Sequence, residues 1–199
     1  MRDCIIRQLR LLFRRSPSRQ IVNQKLSPFH SNSVQDVSTI VTCGASQGVP
    51  VVARSGGHSY AAYSLGGVNG ALVVDLSALT NITLSNGTAV VQTGNRLGDV
   101  AEYLWNNGQL ALPHGKYWLS LQMQIGSSIS LGTCPTVGTG GHTSYGGYGP
   151  FSRLGGLLVD RVVSADVVLA NGTSITASNT SYPDLFWVCS GGCESFHRF

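Results

Sequence analysis

The chain has 199 residues, 25 of them glycine; it is 42% hydrophobic but only 11% charged, with a formal net charge of +4. An ordinary soluble domain holds about 7% glycine and roughly 25% charged residues, so this is a Gly-rich, charge-poor chain, long enough to bury a core as one domain and too apolar for a disordered one. No stretch approaches the roughly 20 uninterrupted apolar residues of a spanning helix, and no membrane span is expected.

The positive charge is confined to the start. Residues 1–25 hold Arg2, Arg7, Arg10, Arg14, Arg15, Arg19 and Lys25 against Asp3 alone, whereas residues 26–199 hold six basic and eight acidic side chains. The rest of the chain is therefore slightly acidic, and no nucleic-acid partner is expected. The basic arm, residues 1–32 in the domain division, alternates Arg with Leu and Ile. It reads either as an amphipathic targeting helix or as an unstructured, misassigned gene start. No signal peptide is visible in it.

From Ser33 to Gly48 the pattern predicts a helix. Ser33 caps it, Asp36 lies in its first turn, Val34, Val37, Val41 and Ala45 share one face, and Gly48 closes it. Pro50–Ala53 is a short buried strand before a Gly-Gly loop, and Ala71–Leu76 is another. Ile82–Leu84 and Thr88–Thr93 make a hairpin about Asn86-Gly87, the pair that favours a type I′ turn. A helix follows over Leu97–Asn107, with Asp99 and Glu102 at its positive end and Gly108 past its stop. Val162–Leu169 is a long strand that Asn171-Gly172 turns into Ser174–Ala177. The hairpins argue against an all-parallel sheet, and the expected fold class is α+β. Two segments break the rhythm: residues 116–132, apolar without a clear period, and the tail after Trp187.

Arg54-Ser-Gly-Gly-His-Ser59 follows the Pro50 strand directly. Adjacent Gly56 and Gly57 let several backbone N–H groups point one way, a nest suited to a phosphate or pyrophosphate, with His58 close to whatever binds. The alternative is a plain tight turn carrying an exposed histidine. The second feature is Thr133-Cys-Pro-Thr-Val-Gly-Thr-Gly-Gly-His142, followed by Gly146-Gly-Tyr-Gly149. Nine glycines lie between Gly132 and Gly156, more than turns require, so backbone there comes close to something. Neither a Walker loop nor a dinucleotide fingerprint fits.

Five cysteines, Cys4, Cys43, Cys134, Cys189 and Cys193, show no disulfide framework. Zinc held by His114, Cys134 and His142 lacks a recognisable spacing, and no metal is expected. Gly44-Ala-Ser-Gln-Gly48 matches a nucleophile elbow in letters only, because Ser46 ends a helix whereas the elbow joins a strand to a helix. Asn81, Asn86, Asn171 and Asn179 head N-x-S/T triplets and lean towards a secretory history.

With both loops read, the sequence resembles the FAD-linked oxidoreductases of the vanillyl-alcohol oxidase / p-cresol methylhydroxylase superfamily, in the branch of berberine bridge enzymes and fungal glucooligosaccharide oxidases. The residues that carry the resemblance are Val51–Tyr60, Gly70–Leu76, Gly94–Val100, Ala111–Gly115, Thr133–Gly138 and Asp184–Trp187, in the family's order. It implies an FAD-binding domain over residues 33–188, of mixed sheets with flanking helices. It also implies a flavin tethered twice, through the His58 imidazole and the Cys134 thiolate, both apt nucleophiles for an electrophilic ring. Arg54, Ser55, Gly56, Gly57 and Ser59 would cradle the pyrophosphate, and Gly138, Gly140, Gly141, His142 and Gly146 would line the rest of the cofactor.

The implied reaction takes hydride from an alcohol or sugar carbon and passes the electrons to dioxygen, giving hydrogen peroxide. The implied substrate is a small alcohol or saccharide, and the implied localisation is secreted. A second reading is an FAD-binding fragment without turnover; a third is an interaction domain that binds no flavin. The chain departs from the family in three places. The C-terminal substrate domain that supplies the catalytic base is absent, and neither Tyr145 nor Tyr148 matches that base. Residues 116–132 interrupt the family's direct run from Pro-His-Gly to Thr-Cys-Pro and read as a retained intron, so that their deletion is expected to raise soluble yield and flavin content. The tail, residues 189–199, is aberrant, and the region before Val34 looks a strand short.

Overall fold

The structure, a computed structural model, describes residues 29–65, 70–108, 132–150 and 152–192, together with the backbone of 121–124. The basic arm before Phe29, most of the 116–132 segment and residues 193–199 lie outside the described residues.

Phe29–His30 forms a two-residue strand, β1, where the sequence suggests a missing one; the first 32 residues are thus not all arm. Helix α1, Val34–Ser46, starts as expected, with the Ser33 hydroxyl accepting from the Asp36 N–H. Its buried side differs from the expected face. Val34 is exposed, and Ile40 and Gly44 are the covered positions. Gly44 decides the rotation, because a Cβ there would strike the Val51 side chain, so the helix lies closest to the sheet at its one residue without a side chain. Strands β2, Val51–Arg54, and β3, Leu72–Asp75, then pair in parallel, and β1 adds to the other side of β3. Ile40, Leu72, Val74, Leu76 and Leu79 form the core of this first layer.

The second layer is antiparallel. β4, Ile82–Ser85, and β5, Thr88–Val91, pair with Ser85 opposite Thr88. Asn86 and Gly87 sit at φ 49° and 70°, the two left-handed residues that a type I′ turn demands. Helix α2, Leu97–Gly108, buries Leu97, Val100 and Leu104 on one stripe. At its start Asp99 accepts a hydrogen bond from the Arg96 N–H, 3.2 Å, which pairs a carboxylate with the helix's positive end. β7, Val162–Val168, and β8, Ser174–Ser178, close the sheet, and the short helix Pro183–Trp187 packs Phe186 into the same core as Ala89, Val91, Val100, Leu104, Ala165 and Ala177. The Asn171-Gly172 turn between β7 and β8 reaches the first layer, where the Ser38 hydroxyl donates to the Gly172 carbonyl.

One element was not foreseen. Leu121–Gln124 is a strand, β6, hydrogen-bonded to β5 on one side and β7 on the other, so the five-stranded order is β4-β5-β6-β7-β8. These residues belong to the segment read as having no place in the fold. Leu-Gln-Met-Gln does alternate apolar and polar with period two, too briefly to stand out within a longer apolar run. Deleting 116–132 removes the strand between β5 and β7, so the structure turns the expected gain in soluble yield into a loss. Gln122 lies opposite Val90 and Ser164. Gln122→Pro is expected to cost about 1–3 kcal/mol for the partner carbonyl left unpaired, besides the ring's misfit in a central strand. Urea denaturation against wild type measures it.

After β6 come three short helices: α3, Thr139–Ser144, α4, Ser152–Gly155, and α5, Pro183–Trp187.

Candidate functional site: the junction of two glycine-rich loops

The loop that leaves β2 and the segment that opens α3 meet where the two layers adjoin. Gly56 and Gly138 touch backbone to backbone: a Cβ on Gly138 would strike Gly56 N and Cα, and one on Gly56 would strike Gly138 N and Cα. Hydrogen bonds stitch the contact. The Ser55 hydroxyl donates to the Thr93 carbonyl at 2.6 Å and accepts from Gly140 N at 3.4 Å; the Thr139 hydroxyl donates to the same Thr93 carbonyl at 3.1 Å. The start of α2 pins the second segment, with Leu97 N donating to Val137 O at 3.0 Å, Gly98 N to Pro135 O at 2.9 Å and Thr139 N to Asn95 O at 3.1 Å. Thr93, Asn95 and Thr139 are buried polar residues, and sequence reasoning missed them. Their signal was position: Thr93 and Asn95 flank Gly94 in a motif already singled out.

Of the residues expected in the site, Ser55, Gly56, Gly57, Gly138 and Gly140 are brought together here. Gly57 has φ 73°, a left-handed turn that suits glycine. His58 and Ser59 are exposed just beyond it, and Cys134 is exposed on the other segment. Gly141 is exposed, with nothing within 4 Å of a Cβ placed on it. His142 and Gly146 make contacts elsewhere: the His142 ring lies 2.9 Å from a Cβ position on Gly132, and the Gly146 carbonyl accepts from Val159 N at 3.1 Å.

Arg54 turns from the loop to Asp75. The two stand opposite each other at the ends of β2 and β3, and the guanidinium is hydrogen-bonded and ion-paired with the carboxylate, whose side chain is 7% exposed. Burial pushes the Asp75 pKa up, but hydrogen bonds from Arg54 and Ser77 and the Arg54 charge outweigh it, holding the carboxyl below its ordinary value. Because the folded pKa is the lower one, the pair's contribution is complete above about pH 4 and is lost as acid takes the pH down through the depressed value. Asp75→Ala leaves a half-buried guanidinium unpaired and is expected to cost about 3 kcal/mol at neutral pH. The difference from wild type should shrink as the pH falls through the depressed value, where wild-type Asp75 is itself becoming protonated. Urea midpoints across pH 2–7 measure both effects.

The arrangement fits an FAD better than a metal or an acyl group. Two Gly-rich turns meet at a contact so close that any side chain would block it, flanked by an exposed imidazole and an exposed thiol. Among the described residues no cluster of His, Cys, Asp or Glu could hold a metal ion. Ser46 ends α1 with its hydroxyl donating to the Cys43 carbonyl at 2.8 Å, no nucleophile elbow. The Cys43 thiol is pushed up by burial, away from the thiolate that reacts. No described helix is long and apolar enough to cross a membrane.

Comparison with known proteins bears on the same residues. The FAD binding domain family matches residues 29–130 and 114–178, well over half of the chain. The chain belongs to this family of FAD-binding domains. It is 45% identical over 166 residues to a xylooligosaccharide oxidase from Thermothelomyces thermophilus, covering 82% of this chain and 30% of that protein. Among solved structures, a glucooligosaccharide oxidase from Acremonium strictum, described as carrying 6-S-cysteinyl, 8α-N1-histidyl FAD, superposes with a TM-score of 0.71 at 36% identity, over 82% of this chain and 31% of that one. BBE-like 1 from Physcomitrella patens gives 0.70 at 38% identity, over 81% and 32%. The chain therefore spans about 30% of the length of the curated relatives it matches.

Proposed function

We propose that this chain is the FAD-binding portion of a secreted carbohydrate oxidase, with His58 and Cys134 as the two points of flavin attachment. The observation that carries the reading is the Gly56–Gly138 contact, which sets an exposed imidazole and an exposed thiol on the two loops of one junction. The bicovalent flavin described for the glucooligosaccharide oxidase supports the same pair. The binding domain runs from β1 to residue 188, and the Ser55–Ser59 and Gly138–Gly141 segments would line the cofactor, although the Thr139 and Gly140 N–H groups are already taken by Asn95 and Ser55. Bound FAD would supply the acceptor for hydride from a sugar hydroxyl carbon and pass the electrons to dioxygen as hydrogen peroxide.

The chain's own residues bind and orient. Ser55 and Thr139, both bonded to the Thr93 carbonyl, hold the two loops at a fixed separation. Two tethers on opposite loops would hold the ring open to a bulky oligosaccharide. Asn81, Asn86, Asn171 and Asn179 are all exposed, as glycan acceptors on a secreted protein must be. The test is peroxide release on adding xylo-, chito- or gluco-oligosaccharide to the flavin-loaded gene product. Peroxide from one of the three supports an oxidase. Bound flavin with no peroxide from any supports an FAD-binding protein without turnover.

A further inference from the structure

Arg54 opens the His58 loop, and a cationic side chain there invites the role of counter-charge to a pyrophosphate. The structure gives it a different task. Asp75 is anchored around the carboxylate that binds it. One carboxylate oxygen accepts from Ser77 N at 2.9 Å, and the Asp75 carbonyl accepts from both the Ser31 hydroxyl and Ser31 N at 3.0 Å. The other carboxylate oxygen takes the Arg54 guanidinium, with His30 Nδ1 3.8 Å away. The Arg54 carbonyl in turn accepts from Leu76 N at 2.9 Å. Drawn towards Asp75, the Arg54 stem passes under Gly57, its Cδ 3.6 Å from a Cβ position there. The guanidinium is thus occupied at a buried partner, and its methylenes lie beside the left-handed Gly57 turn that precedes His58, where a side chain on Gly57 would stand.

We infer that Asp75 is a positioning residue for the flavin-linking loop: through Arg54 it fixes the direction in which the Gly56-Gly57-His58 turn leaves β2, and the pyrophosphate is left to backbone N–H groups. This rests on the FAD reading above for its consequence, though not for its structural part. Loss of the carboxylate frees the guanidinium, lets the stem leave Gly57 and widens the range of positions that the imidazole samples. Attachment chemistry is sensitive to such displacements, since about 1 Å of misplacement can cost on the order of a hundredfold in rate.

The experiment compares wild type, Asp75→Asn, Asp75→Glu and Arg54→Lys as full chains. Hydrogen exchange without FAD is followed by incorporation of acid-stable flavin after FAD is added. In Asp75→Asn the amides of Leu76 and Gly140, which donate to the Arg54 carbonyl and the Ser55 hydroxyl, should exchange at least tenfold faster while those of β7 and β8 stay unchanged, and acid-stable flavin should accumulate at least tenfold more slowly. Asp75→Glu should recover part of both. Arg54→Lys keeps a charge and a stem and gives an intermediate loop should Asp75→Asn fail to fold. Unchanged exchange at Leu76 and Gly140 in both Asp75→Asn and Arg54→Lys overturns the inference, as does faster exchange spread evenly over both sheets. Wild type that never takes flavin overturns the FAD reading instead, and the exchange data still decide whether the pair holds the loop.

Discussion

Gly138→Ala should cost about 3 kcal/mol of stability and abolish flavin retention. Gly138 has φ −75° and ψ 144°, ordinary values for any residue, so the penalty owes nothing to backbone preference. It comes from what the methyl would meet. Gly56 N and Cα lie on the spot, and backbone atoms cannot rotate aside as a side-chain end can. The loops must separate, which breaks the Ser55–Gly140 hydrogen bond and strains Ser55–Thr93. Overpacking in a well-filled site costs about 1–3 kcal/mol, and buried donors and acceptors left unmatched add about 1–3 kcal/mol each. Gly141→Ala is the matched control, one turn along α3, with open space around its Cβ position. Its urea midpoint should stay within about 0.5 kcal/mol of wild type. If that variant is stable yet loses flavin, the open space is where the cofactor lies.

Single His58→Ala and Cys134→Ala variants should each keep acid-stable flavin through the remaining tether, and the double variant should keep none. Both side chains are exposed, so neither substitution removes packing, and urea midpoints should change by no more than about 0.5 kcal/mol. That separates chemistry from folding: a drop in covalent flavin at constant stability can only come from the lost nucleophile. The two singles should also differ in kind. A flavin held only by the ring-carbon thioether and one held only by the 8-methyl imidazole have different chromophores, so their visible spectra should be distinguishable from each other and from wild type. Equal retention in the double variant would remove both residues from the attachment.

Much of the architecture was legible because short-range chemistry fixed it. The Ser33 cap, the Asn86-Gly87 turn and the β-branched runs at Val51 and Leu72 each determine a local conformation without help from distant residues. The face of α1 was not legible, because it depends on Gly44 meeting Val51 in the finished packing. β6 was hidden for a related reason: four alternating residues are too few to declare a strand until partners stand on both sides. The loops carrying His58 and Cys134 were found through their glycines. Their junction was not, since two hydroxyls, of Ser55 and Thr139, join segments up to 85 residues apart by pairing with backbone groups that every residue possesses. Arg54 was placed beside the cofactor by the family resemblance, as part of the Arg54–Ser59 loop; its partner Asp75 sat in plain view at the end of an apolar strand, where an acid calls for a cation.

The central claim is that one flavin binds across these two loops and becomes bonded to both. Its most direct measurement is the intact mass of the wild-type chain, folded in the presence of FAD, then acid-precipitated and washed. We predict a single species heavier than the bare chain by one FAD, which protease digestion assigns to peptides containing His58 and Cys134. A soluble, folded chain that returns its bare mass after exposure to FAD would contradict the account.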